Sequence, residues 1–415
     1  MSSKITRRSL TAGLAIGALA TPGLGILSGR AQTKAVKMAM IAPLSGPWAR
    51  QGQLLRQGAE MAIDEINQKG GIEKLGGAKF ELVVGDAGDS TEKAKNAAQR
   101  LLSDQPDLIG GFGSWLSSFT LAVTEVTERA ELPWLTLSYS DLITNRGFKY
   151  IFQTAPTADA QATALLPRVV DLASKAGGAK PTKVAFVGDN SASSVSFMKA
   201  IRGGVAKDLG LTIVADEVFT PPLADATTLV QKIRSGRPDF IVMQSTNVGD
   251  DKLLLDKFAE RGITASTIPL IGGGGHWTVP ELAKVAGKEH LEGVIVGLAN
   301  WPGKALGDLE KRFMTKTGEP WFGHDSIFPY AHVMIFKEAL ERTASTDRKK
   351  LGEMLHKIDL KDGPARYFPD GRVKFEENGR RVGAELCVVQ WQKGRPVAVH
   401  PDNIAVSKAV WPKLS

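Results

Sequence analysis

From residue 36 the chain alternates between short apolar runs and longer stretches whose apolar residues recur every three or four positions. The run VKMAMIA, 36–42, predicts a strand. Leu55, Ala59, Ala62, Ile63 and Ile66 then fall on one helical face, and Gly70-Gly71 ends that helix. Phe80, Leu82 and Val84 alternate as in a strand. Asp89 with Glu92 three residues on reads as a capping box, opening a helix that buries Ala94, Ala97, Ala98, Leu101 and Leu102. DLIGGFGS predicts a buried strand ending at Ser114, a helix follows, and LPWLTLS is the next strand. The rhythm restarts near 182. KVAFVGD, LTIVADEVF, DFIVMQS and IPLIGGGG predict strands, separated by helices over 195–209, 226–235 and 250–261. Two such blocks imply two parallel-sheet α/β lobes with right-handed crossovers. Helices at 306–317 and 330–343 follow, and GRVKFEENG with ELCVVQWQKG predicts a hairpin-like pair.

Composition narrows this picture. The 415 residues are 43% hydrophobic, enough for more than one core. One cysteine, Cys387, excludes an internal disulfide, and the six histidines show no H-E-x-x-H spacing, so no metal site is expected. The formal net charge is +8, but residues 1–31 hold four bases (Lys4, Arg7, Arg8, Arg30) and no acid, which leaves 48 bases against 44 acids. No run of Lys and Arg is long enough for a nucleic-acid footprint. Residues 1–31 read as a signal peptide: the twin-arginine pair Arg7-Arg8, small apolar residues from Leu10 to Leu27, and a cut after Ala31. A periplasmic protein exported through the twin-arginine route is expected. No later stretch has eighteen unbroken apolar residues, so no membrane span is expected.

The loops after the predicted strands are rich in Ser, Gly and Trp: SGPWARQG, GFGSWLSS, LSYSD, GDNSASS, QSTNVGD and GGGGHW. Ligands of open α/β sheets bind at that edge, so these six loops predict a cleft between the lobes. Hydroxyls and free N–H groups at a helix N-terminus attract a carboxylate, which makes Ser114, Ser138 and Ser140 candidate ligands. Any one of them taken singly reads more readily as an ordinary N-cap, whereas together, at two adjacent strand ends, they point to a site. Trp48, Arg50, Trp115, Tyr139, Asn247, His276 and Trp277 also stand on these loops.

The stretch PLSGP followed by A-x-D-E-I-N-x-x-G-G-I, the acidic turn Gly85–Asp89, and Gly113-Ser114 resemble the branched-chain amino acid type of periplasmic substrate-binding protein, the receptor component of ABC importers. The resemblance runs from about 36 to 395. It implies two Rossmann-like lobes, the type I arrangement, joined by three crossovers near Thr154–Thr157, Ala299–Pro302 and Gly363–Asp370. Lobe one would hold 34–155 with 301–365, and lobe two 156–300 with 366–415. Some members join cysteines at the positions of Gly88 and Gly113, and both are glycine here. The resemblance gives Ser114 and the LSYS turn the ligand's carboxylate. It also implies a monomer that delivers its small-molecule ligand to a membrane permease with ATPase subunits, without cofactor or nucleic acid.

The far wall departs from the family. Amino-acid binders place an aromatic and an acid at positions that fall here at about Ser193 and Gly274. A buried ammonium without a counter-charge costs several kcal/mol. Either Asp189, Asp250 or Asp325 substitutes, or the ligand has no α-ammonium. Gly272 to Gly275 are expected to leave volume for a larger hydrophobic or aromatic carboxylate, with Arg50 offering a second anion contact. Two other classes compete. A secreted enzyme lacks support, since neither a G-x-S-x-G elbow nor a P-loop is present. A soluble sensory ligand-binding protein of the same fold is the alternative function.

Overall fold

The computed structural model describes residues 34–175 and 180–411. The expected signal peptide and cleavage site lie outside the described residues. Five parallel strands, β1 (Val36–Ala42), β2 (Phe80–Asp86), β3 (Leu108–Gly113), β4 (Trp134–Thr136) and β5 (Ile151–Gln153), form the first sheet in the order β2-β1-β3-β4-β5. β1 and β3 are apolar along their length rather than alternating, because helices cover both faces of such a sheet.

The second sheet contains β6 (Lys183–Asp189), β7 (Thr212–Phe219), β8 (Phe240–Gln244), β9 (Leu270–Gly273) and β10 (Ile295–Leu298). β11 (Asp359–Leu360) and β12 (Val373–Lys374) form a separate two-stranded ladder. β13 (Cys387–Gln392) and β14 (Arg395–His400) complete the second sheet, ordered β14-β13-β10-β9-β8-β6-β7, with β13 antiparallel to β10. The expected pairing of GRVKFEENG with ELCVVQWQKG is therefore not made: each segment pairs elsewhere. The sequence reading also assigns nothing to β10 or to the helix Ala158–Lys175, which carries Pro167 inside it.

One hydrophobic cluster surrounds the first sheet, and two lie on the faces of the second. The chain passes between sheets after β5, after β10 and again before β13. Phe368, Val373 and Phe375 pack in the first cluster, so the third passage falls after Phe375, later than the expected Gly363–Asp370. The helix Ala49–Gln68 lies against the helix His324–Thr343 so closely that a Cβ on Gly58 would stand 2.0 Å from the Ser326 carbonyl. That contact fixes the start of the second helix beside the strand ends. The capping box is also placed differently: Ser90, not Asp89, caps the helix Thr91–Asp104 by accepting from Lys93 N, and Asp89 pairs with the Lys93 ammonium at 2.8 Å.

Candidate ligand-binding site

Strand order reverses beside β1/β3 in one sheet and β6/β8 in the other, and the crevice at such switch points is where α/β sheets bind ligands. The two switch points face each other across a narrow cavity. The first lobe contributes Trp115–Ser117 after β3, Leu137 and Tyr139 after β4, and His324. The second contributes Ser193, Ser194 and Phe197 after β6, Gln244–Thr246 after β8, Gly273–His276 after β9, and Ala158 and Gln161 from the helix Ala158–Lys175. The Ser117 hydroxyl accepts from Tyr139 N at 3.0 Å and Ser140 N at 3.1 Å, which ties two of the loops together. Leu116, the residue before the helix Ser117–Arg129, provides no side-chain cap, so the positive end of that helix is presented to the cavity.

Among the described residues no Lys or Arg lines the cavity, but four carboxylates are buried around it: Asp189, Asp250, Asp251 and Asp325. Asp189 accepts from Ser194 Oγ at 2.8 Å, from Ser191 N at 3.0 Å and from the Thr246 hydroxyl. Asp251 accepts from the Ser245 hydroxyl and lies 3.2 Å from His276 Nε2. Burial raises the pKa of Asp251, opposed by His276 beside it. Asp325 accepts from Trp115 Nε1 at 2.9 Å while its other oxygen is buried without a partner among the described residues; burial pushes its pKa up to about 6. Asp250 accepts from Leu223 N at 2.8 Å and is also pushed by burial to about 6. Burial lowers His324 to about 3, leaving it neutral beside the Tyr139 hydroxyl, 3.0 Å from its Nε2.

A family model described as periplasmic binding protein matches residues 35–396. The chain belongs to the periplasmic binding protein family. A Leu/Ile/Val-binding protein homolog of Brucella melitensis is 30% identical over 401 residues, covering 94% of this chain and 97% of the relative. A branched-chain amino acid transporter substrate-binding protein of Streptococcus pneumoniae, solved with isoleucine, superposes with a TM-score of 0.73 at 20% identity, over 88% of this chain and 100% of that one. A fatty acid ABC transporter substrate-binding protein of Thermomonospora curvata superposes with a TM-score of 0.72 at 19% identity, over 91% and 95%. At these identities the two solved structures speak to the fold.

Of the residues singled out from sequence, Trp115, Tyr139, Ser193, Gly274 and His276 line the cavity of this periplasmic binding protein. The others stand elsewhere. Arg50 holds Glu319 through two bonds, 2.9 and 2.6 Å, so its guanidinium is occupied within the protein. Trp48 donates Nε1–H to the Thr246 carbonyl at 3.0 Å, linking the lobes at the rim. Ser138 Oγ donates to the Trp115 carbonyl at 2.7 Å, and Ser140 Oγ lies 3.1 Å from Ser196 Oγ across the lobes. Ser114 sits at φ 69° with its hydroxyl buried behind the wall. Asn247 caps the helix Val248–Glu260 by accepting from Gly249 N at 2.7 Å. Trp277 is fully buried in a second-lobe cluster, against Gly272.

The glycine loop does not leave the expected volume. A Cβ on Gly272 would lie 2.5 Å from the Trp277 ring, on Gly273 2.0 Å from the Gln244 amide, and on Gly275 2.3 Å from the His324 ring. Neighbouring side chains already fill those places. Ser117, Gln161, Phe197, Gln244 and His324 line the cavity without having been read from the sequence. His324 was concealed by Pro329, which suggests a helix start at 330, whereas the helix begins at His324. Serine at the first helical position was the available signal for Ser117.

Proposed function

We propose that this periplasmic binding protein is the extracytoplasmic receptor of an ABC importer and closes around an amino acid or related small carboxylate, for delivery to a membrane permease. Its place outside the cytoplasm follows from the family. One observation carries the reading: an interlobe cavity with an uncapped helix N-terminus on one wall and buried carboxylates behind the other. That polarity suits a zwitterion, carboxylate toward Ser117 and ammonium toward the second lobe. Trp115, Leu116, Leu137 and Phe197 supply an apolar middle. The Leu/Ile/Val-binding name of the Brucella melitensis relative supports an amino acid. The fatty acid transporter name of the Thermomonospora curvata neighbour supports, as a second reading, a hydrophobic carboxylate without an amine.

A ligand that binds only the folded form raises its melting temperature. A thermal-shift panel of amino acids and short-chain to medium-chain carboxylates is expected to give a saturable rise for at least one member. No rise with any member would overturn the proposed ligand class.

A further inference from the structure

We propose that Asp251 and His276 together form the ammonium-recognition element of this cleft, His276 Nδ1 accepting from the ligand's ammonium and Asp251 supplying the balancing charge from behind. The proposal rests on the receptor reading above and names the part of the ligand that the second lobe selects.

The geometry is that of a two-layer contact. His276 lies on the turn Gly275–Thr278 and lines the cavity. Its Nε2 lies 3.2 Å from Asp251 Oδ2, an ion-pair separation without hydrogen-bond geometry, and its Nδ1 lies toward Gly274, where an added Cβ would come within 3.3 Å of it. Asp251 is fully buried and does not line the cavity, so it acts on a ligand through His276. It sits in the first turn of the helix Val248–Glu260, whose dipole favours its anionic form. A carboxylate beside Nε2 favours the tautomer that carries the proton there, which leaves a lone pair at Nδ1. An ammonium is the donor that this lone pair and the charge behind it would take.

The surroundings decide the sign. Asp250 stands on the same helix as Asp251, and Asp189 ends β6. The helix His324–Thr343 brings Asp325 and the neutral His324, and the loop after β4 brings Tyr139, whose hydroxyl burial keeps protonated. The helix Pro280–Ala286 adds Glu281 and Lys284, paired with each other at 3.7 Å with the Lys side chain exposed. β10, packed beside the turn, carries no titratable group. Arg50 is held by Glu319. Acids thus outnumber bases around the cavity, and a ligand cation completes the site.

The test uses the mature full-length chain, titrated by calorimetry at neutral pH. The probes are leucine, phenylalanine and alanine with their deaminated counterparts 4-methylpentanoate, 3-phenylpropionate and propionate. The variants are His276→Gln and Asp251→Asn. Should Asp251→Asn fail to fold, as judged by circular dichroism, His276→Gln carries the test. The expected result is a loss of roughly ten- to a hundredfold for the amine-bearing probe in either folded variant. The deaminated partner keeps its affinity within about threefold. Wild-type affinity for the amine-bearing probe in His276→Gln overturns the proposal. Preference of the wild-type chain for the deaminated probes would sink it while leaving the receptor reading intact. No binding of any probe would remove both.

Discussion

His332 is fully buried on the helix His324–Thr343, with Nε2 2.8 Å from the Thr154 hydroxyl, and burial lowers its pKa to about 3. The unfolded chain, with an ordinary histidine pKa near 6.5, takes up the proton first. The stability contributed by neutral His332 is therefore complete above that pH and is lost as pH falls toward about 3. Asp250 and Asp325, both raised to about 6, work in the opposite direction. Comparing the wild type with His332→Gln cancels their share. Between pH 7 and pH 5 the wild type should lose about 2 kcal/mol more than the variant, read from denaturant midpoints. Equal losses would show that His332 is charged in the folded state. Arg50 gives a second prediction at this scale. Its carboxylate partner Glu319 is mostly buried, and removing one member of a buried pair strands the other's charge. Arg50→Ala should cost about 3 kcal/mol of stability and leave ligand affinity unchanged. Weakened binding with unchanged stability would return Arg50 to the ligand. The sequence offered Arg50 as a cleft cation because its loop was legible, whereas its partner lies 269 positions along the chain. Side-chain pairing over such separations leaves no mark on local pattern.

At the scale of elements, most strands of the two parallel sheets were legible, because burial on both faces writes them as continuous apolar runs. β5 and β10 escaped, although β4 and β9, of the same lengths, were read within the longer runs LPWLTLS and IPLIGGGG. The terminal pairing was misread because adjacent strand-like segments suggest a hairpin, while β12 finds β11 and β13 finds β10 and β14. The glycines carry what pattern cannot express. Gly113 ends β3 at φ +118°, and a Cβ there would stand 2.2 Å from the Ile41 carbonyl oxygen. Backbone cannot swing aside as a side chain can. Gly113→Ala should cost roughly 2–4 kcal/mol, combining a forbidden φ with overpacking. Gly210, at φ +74° with nothing within 4 Å of its Cβ position, is the control, and Gly210→Ala should cost about 1 kcal/mol. Equal midpoints for the two variants would mean that β1 yields to the added methyl. By the same contact, cysteines at positions 88 and 113, which the family resemblance allows, would not be accepted here without movement of β1.

Across the whole molecule, the two lobes meet through hydrogen bonds beside the cleft and through apolar packing that seats Leu54 and Trp321 in a second-lobe cluster. Trp48 Nε1 donates to the Thr246 carbonyl at 3.0 Å, Ala192 N donates to Ser118 Oγ at 3.2 Å, and Ser140 and Ser196 lie 3.1 Å apart. Such contacts are made only when the lobes are together, so they stabilise the closed form against an open one by small increments. A ligand that bridges the walls adds to them and shifts the balance. Small-angle scattering should show the radius of gyration fall on addition of a ligand found by thermal shift. Trp48→Phe keeps the edge-on packing against Phe119, 5.5 Å between ring centroids, and deletes the one indole hydrogen bond. A neutral hydrogen bond is worth about 1 kcal/mol, so the variant should bind about fivefold more weakly. The loss should appear in the dissociation rate, because the bond forms after the ligand has entered the open cleft. The open form makes no such bond, and its radius of gyration should not change. Unaltered dissociation with full closure on ligand would show that Trp48 packs at the rim without holding it shut. A slower association rate instead would mean that the tryptophan shapes the open cleft.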